Sequence, residues 1–330
     1  MTLYDIPAPA KLNLFLHVVG QRADGYHLLQ TAFRFVDLQD TLHIESRADG
    51  RIIRTSGLPG VPQDADLAVR AARALQRAAG VSAGAAIAID KRIPAGGGLG
   101  GGSSDAASVL IALNRLWKTG LSRSQLMALA LPLGADVPVF VFGRPAFAEG
   151  VGERLTAVDL PARAYLVVQP DAQVPTAEVF GAPELTRNTQ TVTMADFSAA
   201  LGDARRGRAG SGNADGSPGN ARRGLPVAGG FGRNDLEPVA CRRYPAVSRA
   251  AAWLARQGLE TRMSGSGACL FAEFAVLREA VLAQQEIAVK MRLADRDAHG
   301  REAGPEGPAI RSVLACQGLD EHPLRHWIAG

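Results

Sequence analysis

The chain has 330 residues, 47% of them hydrophobic and 21% charged, and a net charge of +4. This composition is typical of a globular protein, and at roughly 100–200 residues per domain the length predicts two domains. The charge is too small to indicate a nucleic-acid partner by itself, and the three scattered cysteines argue against a disulfide framework or a CxxC zinc site. We recognise no signal-peptide pattern and no apolar run of the roughly 18 residues that span a membrane, so we expect a cytoplasmic enzyme.

The N-terminal segment alternates with the period of a β-strand. The even-numbered positions from 12 to 18 are all aliphatic, so a strand would gather them on one face. Lys11 and Asn13 would then project together from the opposite face, with Phe15 and His17. A turn is predicted at residues 24–27, where the sequence reads Asp-Gly-Tyr-His.

Strands and helices alternate over the following stretch. A helix is predicted at residues 66–79, with Asp66 as its N-cap and Gly80 just past its end. A second helix is predicted at 104–118, and the capping-box pair Ser122 and Gln125 opens a third. The further predicted strands cover residues 41–45, 52–55, 85–89, 165–168 and 269–274.

Residues 202–232 differ from the rest of the chain because they are rich in Gly, Ala, Arg, Ser and Asn. Such a segment buries too little apolar surface to offset its ordering entropy, so we predict a disordered insertion. Its Arg-Gly clusters leave open a non-catalytic RNA-associating protein, although a solvated linker is favoured. A second polar insertion is predicted at 295–308.

A glycine-rich loop is the strongest functional feature of the sequence. Six glycines occupy the seven positions from Gly96 to Gly102, between a predicted strand and a predicted helix. Glycine lets backbone N–H groups approach a ligand closely, and the N-terminus of a helix favours anions. The pattern therefore predicts a phosphate cradle, in which Ser103 and Ser104 either cap the helix or offer hydroxyls to a phosphate or to Mg²⁺.

The type of phosphate loop can be narrowed. A Walker A loop requires a lysine before its Ser or Thr, and Gly102-Ser103 has none. A GxGxxG match begins at Gly96, but a dinucleotide site also needs an acid about 20 residues further on. Residues 106–135 contain no Asp or Glu. A kinase is therefore favoured, and a nicotinamide dehydrogenase stays open as the alternative.

Two further segments are candidates for the chemistry. Asp136 stands at the edge of the apolar run 137–142, where an acid is a candidate general base; an N-cap or a structural ion pair is the alternative. Residues 262–268, Arg-Met-Ser-Gly-Ser-Gly-Ala, predict either a tight turn before a strand or a second backbone wall of the site.

These segments, in this order, resemble the GHMP kinase superfamily. The resemblance rests on Pro-Ala-Lys-Leu-Asn at 9–13, Gly-Leu-Gly-Gly-Gly-Ser-Ser at 98–104 and Ser-Gly-Ser-Gly at 264–267. It implies an α+β fold with a ribosomal-S5-domain-2-like N-terminal domain and a ferredoxin-like C-terminal domain. We place the ATP-binding and catalytic domain at 1–158 and the second domain, with its insertion, at 159–330.

The two extra glycines of the loop, with the segments at 20–31 and 147–153, narrow the resemblance within the family. It is similar to members that phosphorylate the 2-hydroxyl of a cytidine-diphosphate sugar alcohol in the non-mevalonate route to isoprenoid precursors. A homoserine or mevalonate type of kinase is the alternative.

The resemblance also implies roles for individual residues. Asp136 would accept the proton of the substrate hydroxyl, and Lys11 would hold Asp136 ionised and stabilise charge at the reacting oxygen. The residues implied for ATP binding are Pro94, Ala95, Gly96, Gly97, Gly98, Leu99, Gly100, Gly101, Gly102, Ser103, Ser104 and Lys91. The residues implied for the cytidine-diphosphate substrate are Asn13, Tyr26, His27, Thr176 and Phe180.

The implied cofactors are ATP and Mg²⁺, and no side chain is assigned as a metal ligand. The implied partner is the small-molecule substrate alone, without nucleic acid or membrane, in a monomer or weak homodimer.

Overall fold

The computed structural model describes residues 1–56, 60–209, 224–299 and 307–328. Within these ranges the strands are β1 (Thr2–Gln21), β2 (His27–Arg47), β3 (Ile52–Arg54), β4 (Gly84–Asp90), β5 (Ala146–Glu149), β6 (Arg154–Ala157), β7 (Ala164–Pro170), β8 (Arg262–Met263), β9 (Leu270–Phe274) and β10 (Ile310–Leu319). The α-helices are α1 (Leu67–Ala79), α2 (Gly101–Leu116), α3 (Arg123–Ala130), α4 (Val137–Phe142), α5 (Thr176–Phe180), α6 (Met194–Ala209), α7 (Glu237–Arg243), α8 (Pro245–Arg256) and α9 (Leu277–His299). Short 3-10 helices form at Gln63–Ala65, Leu131–Leu133, Val227–Gly230 and Arg325–Trp327.

The described strands form one continuous mixed sheet. Its main order is β3-β4-β2-β10-β7-β9-β8, with β1 and β5 also paired to β2 and β6 paired to β5. The two long strands β1 and β2 form an antiparallel hairpin around the predicted turn. The last strand, β10, lies between β2 and β7 and so joins the N-terminal strands to the C-terminal ones.

The predicted strand at the N-terminus is confirmed, but its simple alternation is not. A register shift between Asn13 and Leu16 interrupts the β1–β2 pairing. Such a bulge inserts an extra residue and changes which face the following side chains take. Leu12, Leu14 and Phe15 consequently pack in one apolar cluster, whereas Leu16 packs in another.

Two of the three predicted helices, α1 and α3, begin at the capping residues that the sequence indicates. The Asp66 carboxylate accepts a 2.8 Å hydrogen bond from the Ala68 N–H, and Gly80 ends α1 in the left-handed conformation. Ser122 and Gln125 form the predicted capping box of α3. The helix predicted at 104–118 instead spans Gly101–Leu116, so the last two glycines of the loop belong to its first turn.

The structure contradicts the limits predicted for both polar insertions. Residues 202–209 belong to α6. Leu225 pairs with Glu273, and Val227 is buried. The prediction missed these aliphatic residues because it rested on the average composition of 202–232, which is polar. Residues 210–223 lie outside the described residues. At the second insertion, 295–299 continue α9, and 300–306 are likewise outside.

The predicted domain boundary between residues 158 and 159 falls between β6 and β7, and it stays a prediction. Among the described residues, no helix combines the length and the apolar character that crossing a bilayer would require.

Candidate active site

A cavity of about 1280 Å³ is lined by residues from both halves of the chain. Every residue that the sequence proposed for catalysis, ATP or substrate lines it, except Ser104. Residues that were not proposed also line it, including Asp66, Asp105, Gly152 and Arg187. The fold therefore gathers segments more than 160 residues apart around one space.

Lys11 and Asp136 meet in this cavity. The Lys11 ammonium lies 3.2 Å from a carboxylate oxygen of Asp136, although 125 positions separate the two residues. The Lys11 side chain is 2% exposed, and its Nζ also donates to Asn13 Oδ1 at 2.5 Å and to the Gly98 carbonyl at 3.0 Å. The lysine is therefore held rigidly by three oxygen partners, as a buried charge requires.

Asp136 is placed differently. It precedes α4 at the N-cap position, but within the described residues its side chain makes no capping hydrogen bond. The carboxylate is 37% exposed and lines the cavity. The alternative of a simple N-cap is therefore not supported, and one carboxylate faces both an ammonium and open space.

Asn13 shares the face of β1 that carries Lys11, as the strand period predicts. Its Nδ2 donates to Thr31 Oγ1 at 2.9 Å while its Oδ1 accepts from Lys11. Because Asn13 is only 2% exposed, its clearest effect is to orient the lysine. Its contact with a substrate remains a prediction.

The glycine loop runs from β4 to α2 as predicted, and its backbone explains its composition. Gly96, Gly98 and Gly100 all have positive φ angles, a region that side-chain-bearing residues rarely adopt. A Cβ at Gly98 would lie 2.0 Å from the Ser264 carbonyl oxygen. The loop ends at the N-terminus of α2, whose N–H groups and dipole favour an anion.

The C-terminal glycine turn is a second wall of the site. Ser264 Oγ donates to the Gly98 carbonyl at 3.0 Å, and the N–H groups of Ala268 and Cys269 donate to the carbonyls of Gly96 and Gly97, both at 3.1 Å. Residues 265–267 line the same cavity. Both interpretations of this segment hold, because the Gly267 N–H donates to the Ser264 carbonyl at 3.0 Å in a tight turn before β9, and the same turn lines the cavity.

Ser104 corrects the predicted phosphate-binding set. Its hydroxyl donates to the Pro9 carbonyl at 2.7 Å, and the residue is fully buried against β1. Four residues into α2, its side chain points at the sheet rather than at the cavity. Ser103 lines the cavity and is the remaining hydroxyl candidate.

Lys91 lies at the edge of the cavity between two buried carboxylates. Its Nζ donates to Asp40 and, at 2.7 Å, to Asp105. Asp40 also accepts hydrogen bonds from the N–H groups of Arg92 and Ile93, so the cluster fixes the start of the loop. Sequence reasoning missed Asp40 and Asp105, because they are 65 positions apart and meet only through the sheet.

The Asp105 carboxyl has an unusual environment. Its Oδ1 is buried without a hydrogen-bond partner in the described part of the chain. Burial raises the pKa of Asp105 from 3.8 to about 7; Lys91 opposes the rise, and the charge of Asp40 adds to it. One lysine between two carboxylates is also consistent with the raised pKa of Lys91.

This raised pKa predicts a pH-dependent stability. Between pH 3.8 and about pH 7, Asp105 keeps its proton in the folded state, whereas the unfolded chain releases it. The free energy of unfolding therefore falls as the pH rises through that window. We expect Asp105→Asn to flatten this decline in urea unfolding between pH 4 and pH 7, whereas the exposed-site control Asp159→Asn should keep the wild-type slope. An unchanged slope in Asp105→Asn would mean that Asp105 is ionised throughout.

One part of the cavity, which we call its aromatic end, is lined by Tyr26, His27 and Phe180. Tyr26 is 59% exposed, and the rings of His27 and Phe180 lie 5.1 Å apart between centroids. Thr176 Oγ1 lies 2.8 Å from Ser266 Oγ, which ties α5 to the glycine turn. Of the proposed substrate residues, His27, Thr176 and Phe180 therefore lie on segments that contact one another, whereas Asn13 lies beside Lys11.

Comparison with known proteins places this geometry in a family. The sequence matches the model of the GHMP kinases N terminal domain over residues 66–144 and that of the GHMP kinases C terminal region over 216–291. A homoserine kinase from Cytophaga hutchinsonii shares the fold, with a TM-score of 0.61 at 15% identity over 97% of this chain and 95% of that chain. The chain belongs to the GHMP kinase family, whose members are small-molecule kinases.

More specific similarity extends over the whole chain. Curated relatives from Bordetella parapertussis, 64% identical over all of both chains, and Thiobacillus denitrificans, 50% identical over 98% of each, are named 4-diphosphocytidyl-2-C-methyl-D-erythritol kinase. A crystal structure of 4-(cytidine 5'-diphospho)-2C-methyl-D-erythritol kinase matches with a TM-score of 0.70 at 33% identity, over 96% of this chain and 99% of that chain. The predicted family and α+β fold are confirmed, and the dehydrogenase alternative is wrong.

Proposed function

We propose that this chain transfers the γ-phosphoryl group of ATP to the 2-hydroxyl of 4-diphosphocytidyl-2-C-methyl-D-erythritol, a step of the non-mevalonate route to isoprenoid precursors. Support comes from the whole-length similarity to relatives of that name. The observation that carries the proposal is the ion pair of Lys11 and Asp136, whose charged atoms lie 3.2 Å apart. The cavity that contains this pair is also lined by the glycine loop and by the side chains of its aromatic end.

Asp136 is the proposed general base. Its carboxylate faces the cavity and is free of a capping role within the described residues, so it can accept the proton of a hydroxyl as that oxygen attacks phosphorus. In phosphoryl transfer the protein contributes mainly positioning and electrostatics, and a base that orients the nucleophile is one such contribution.

Lys11 is the proposed electrostatic partner. Its ammonium is fixed by Asn13 and the Gly98 carbonyl, so it needs no reorganisation to stabilise charge near Asp136. The Gly98 contact also joins the lysine to the glycine loop. The same side chain therefore links the proposed base to the proposed phosphate site.

The loop from Pro94 to Ser103 is proposed to bind the ATP phosphates through its backbone N–H groups and the N-terminus of α2. Mg²⁺ usually takes one or two protein oxygens and fills its sphere with phosphates and water. Among the described residues, no group of three His, Cys, Asp or Glu side chains could cage a metal. The hydroxyl of Ser103, which lines the cavity at the start of α2, is the protein oxygen that would hold the ion, and the ion neutralises phosphate charge when bound.

The aromatic end of the cavity is proposed to bind the cytidine diphosphate. Tyr26 and Phe180 offer faces on which a base can stack, an interaction worth about 1–3 kcal/mol per base. His27 and Thr176 supply polar atoms beside them. We keep the sequence-based expectations of a cytoplasmic location, of a monomer or weak homodimer, and of no nucleic-acid or membrane partner.

A panel of acceptor alcohols tests this assignment. With ATP and Mg²⁺, we expect ADP release to be fast with 4-diphosphocytidyl-2-C-methyl-D-erythritol and at background with mevalonate or homoserine. The reason is that the latter two lack a base to occupy the aromatic end of the cavity. Faster turnover with an acceptor that has no cytidine would overturn the assignment and favour another GHMP kinase activity.

A further inference from the structure

Arg187 is a cavity-lining cation to which the proposed reaction gives no role. Its Nε donates to His27 Nε2 at 3.1 Å. Its Nη atoms donate to three backbone carbonyls, those of Phe180 at 3.0 Å, Ala182 at 2.8 Å and Leu185 at 3.0 Å. A single guanidinium therefore engages both the His27 ring and the segment that carries Phe180.

The two groups that Arg187 connects come from distant parts of the chain. His27 begins β2, whereas Phe180 ends α5. Two positions after Arg187, the Thr189 N–H donates to the Val18 carbonyl at 3.1 Å, which fixes this segment to β1. Because the guanidinium is planar and always charged, its several donors hold both aromatic rings in one relative position.

The hydrogen bond to His27 also determines where the imidazole carries its proton. A ring nitrogen that accepts a hydrogen bond is unprotonated, so the neutral ring must carry its hydrogen on Nδ1. Burial lowers the pKa of His27, and the positive charge of Arg187 lowers it further, so the neutral ring is favoured at pH 7. Among the described residues, His27 Nδ1 has no hydrogen-bond partner of its own, and the residue lines the cavity.

We propose that Arg187 is a positioning residue that makes the aromatic end of the cavity selective for cytosine over uracil. It does so by holding His27 as an Nδ1–H donor beside Tyr26 and Phe180, the rings on which the base is proposed to stack. Cytosine offers two acceptors, O2 and N3, on its pairing edge, whereas uracil presents an N–H at N3 that a fixed donor opposes. The inference rests on the proposed function, because it concerns the site assigned there to the cytidine diphosphate.

The test compares Arg187→Met with Arg243→Met, a control arginine that pairs with Glu184 near the same segment and does not line the cavity. Affinities for CDP and UDP are measured by calorimetry with the ATP site saturated by a non-hydrolysable analogue. In Arg187→Met we expect CDP affinity to fall about 10-fold, roughly one charged hydrogen bond, with a smaller change for UDP. The KM for ATP and the properties of Arg243→Met should stay at wild-type values.

The tautomer is measured directly by ring-nitrogen NMR of the wild-type enzyme, with the His27 signals assigned by their loss in His27→Gln. We expect Nδ1 to be protonated and Nε2 to be unprotonated in the wild type. Because this measurement uses the wild-type enzyme, it tests the inference even if Arg187→Met folds poorly. A wild-type Nε2–H ring would overturn the inference, as would an unchanged CDP-to-UDP ratio in Arg187→Met. If the wild type binds no CDP at all, the proposed function itself is wrong. If it binds CDP but Arg187→Met leaves the CDP-to-UDP ratio unchanged, only the inference about Arg187 is wrong.

Discussion

Replacing Asp136 with asparagine is expected to lower kcat by roughly 10²–10⁴-fold, the contribution typical of a positioned general base. The amide keeps the size of the carboxylate but cannot take the proton of the attacking hydroxyl. Lys11 keeps its bonds to Asn13 and Gly98, so the cavity should persist. Binding of CDP and of a non-hydrolysable ATP analogue should therefore change by no more than a few-fold, as measured by calorimetry beside steady-state kinetics.

Asp171→Asn is the matched control for this experiment. That carboxylate is 64% exposed, pairs with Arg311 at 2.6 Å and does not line the cavity, so turnover should stay at the wild-type level. If Asp136→Asn retained turnover within about threefold of the wild type, Asp136 would be a structural ion-pair residue and another group would have to accept the proton.

Gly98→Ala is expected to damage both the phosphate site and the fold. The residue has a φ of +71°, and a Cβ would lie 2.0 Å from the Ser264 carbonyl oxygen and 3.0 Å from the Gly267 nitrogen. The added methyl must push the loop away from the glycine turn. Left-handed strain of roughly 1–2 kcal/mol and an overpacking cost of about 1–3 kcal/mol should both appear in urea unfolding. ATP-analogue affinity should fall by at least an order of magnitude.

Gly96→Ala separates the two costs, because Gly96 has a similar φ of +65° but no atom lies within 4 Å of the position that an added Cβ would take. It should show the backbone strain alone, so the difference in unfolding free energy between the two variants measures the clash. Equal destabilisation of the two variants, or full ATP-analogue binding by Gly98→Ala, would mean that the loop is not confined between Lys11 and the glycine turn.

Local features of the fold were readable from the sequence because each depends on neighbouring residues. The N-cap at Asp66, the capping box at Ser122 and the glycine loop all act within a few positions of themselves. The bulge after Asn13 was not readable, because it depends on the pairing of β1 with β2. For the same reason the burial of Val227 was hidden in a segment of polar composition.

The residues of the candidate site show the same difference between local features, which the sequence predicts, and features that depend on distant contacts. The loop was identified from its glycines, whereas the proximity of Lys11 and Asp136 was implied only by the family resemblance. Asp40 and Arg187 were missed, since nothing in their local sequence marks them as parts of a site. Ser104 was misplaced because helix phase, rather than adjacency to the loop, decides that its hydroxyl faces Pro9.

The proposed reaction requires one cavity to hold the phosphates and the cytidine substrate with Asp136 between them. A crystal structure of the ternary complex with a non-hydrolysable ATP analogue and 4-diphosphocytidyl-2-C-methyl-D-erythritol would show this arrangement itself. We expect the 2-hydroxyl oxygen at roughly 2.6–3.2 Å from a carboxylate oxygen of Asp136, with the γ-phosphate against the loop at 96–103. A substrate hydroxyl held by a different base, or phosphates bound away from that loop, would contradict the proposed reaction.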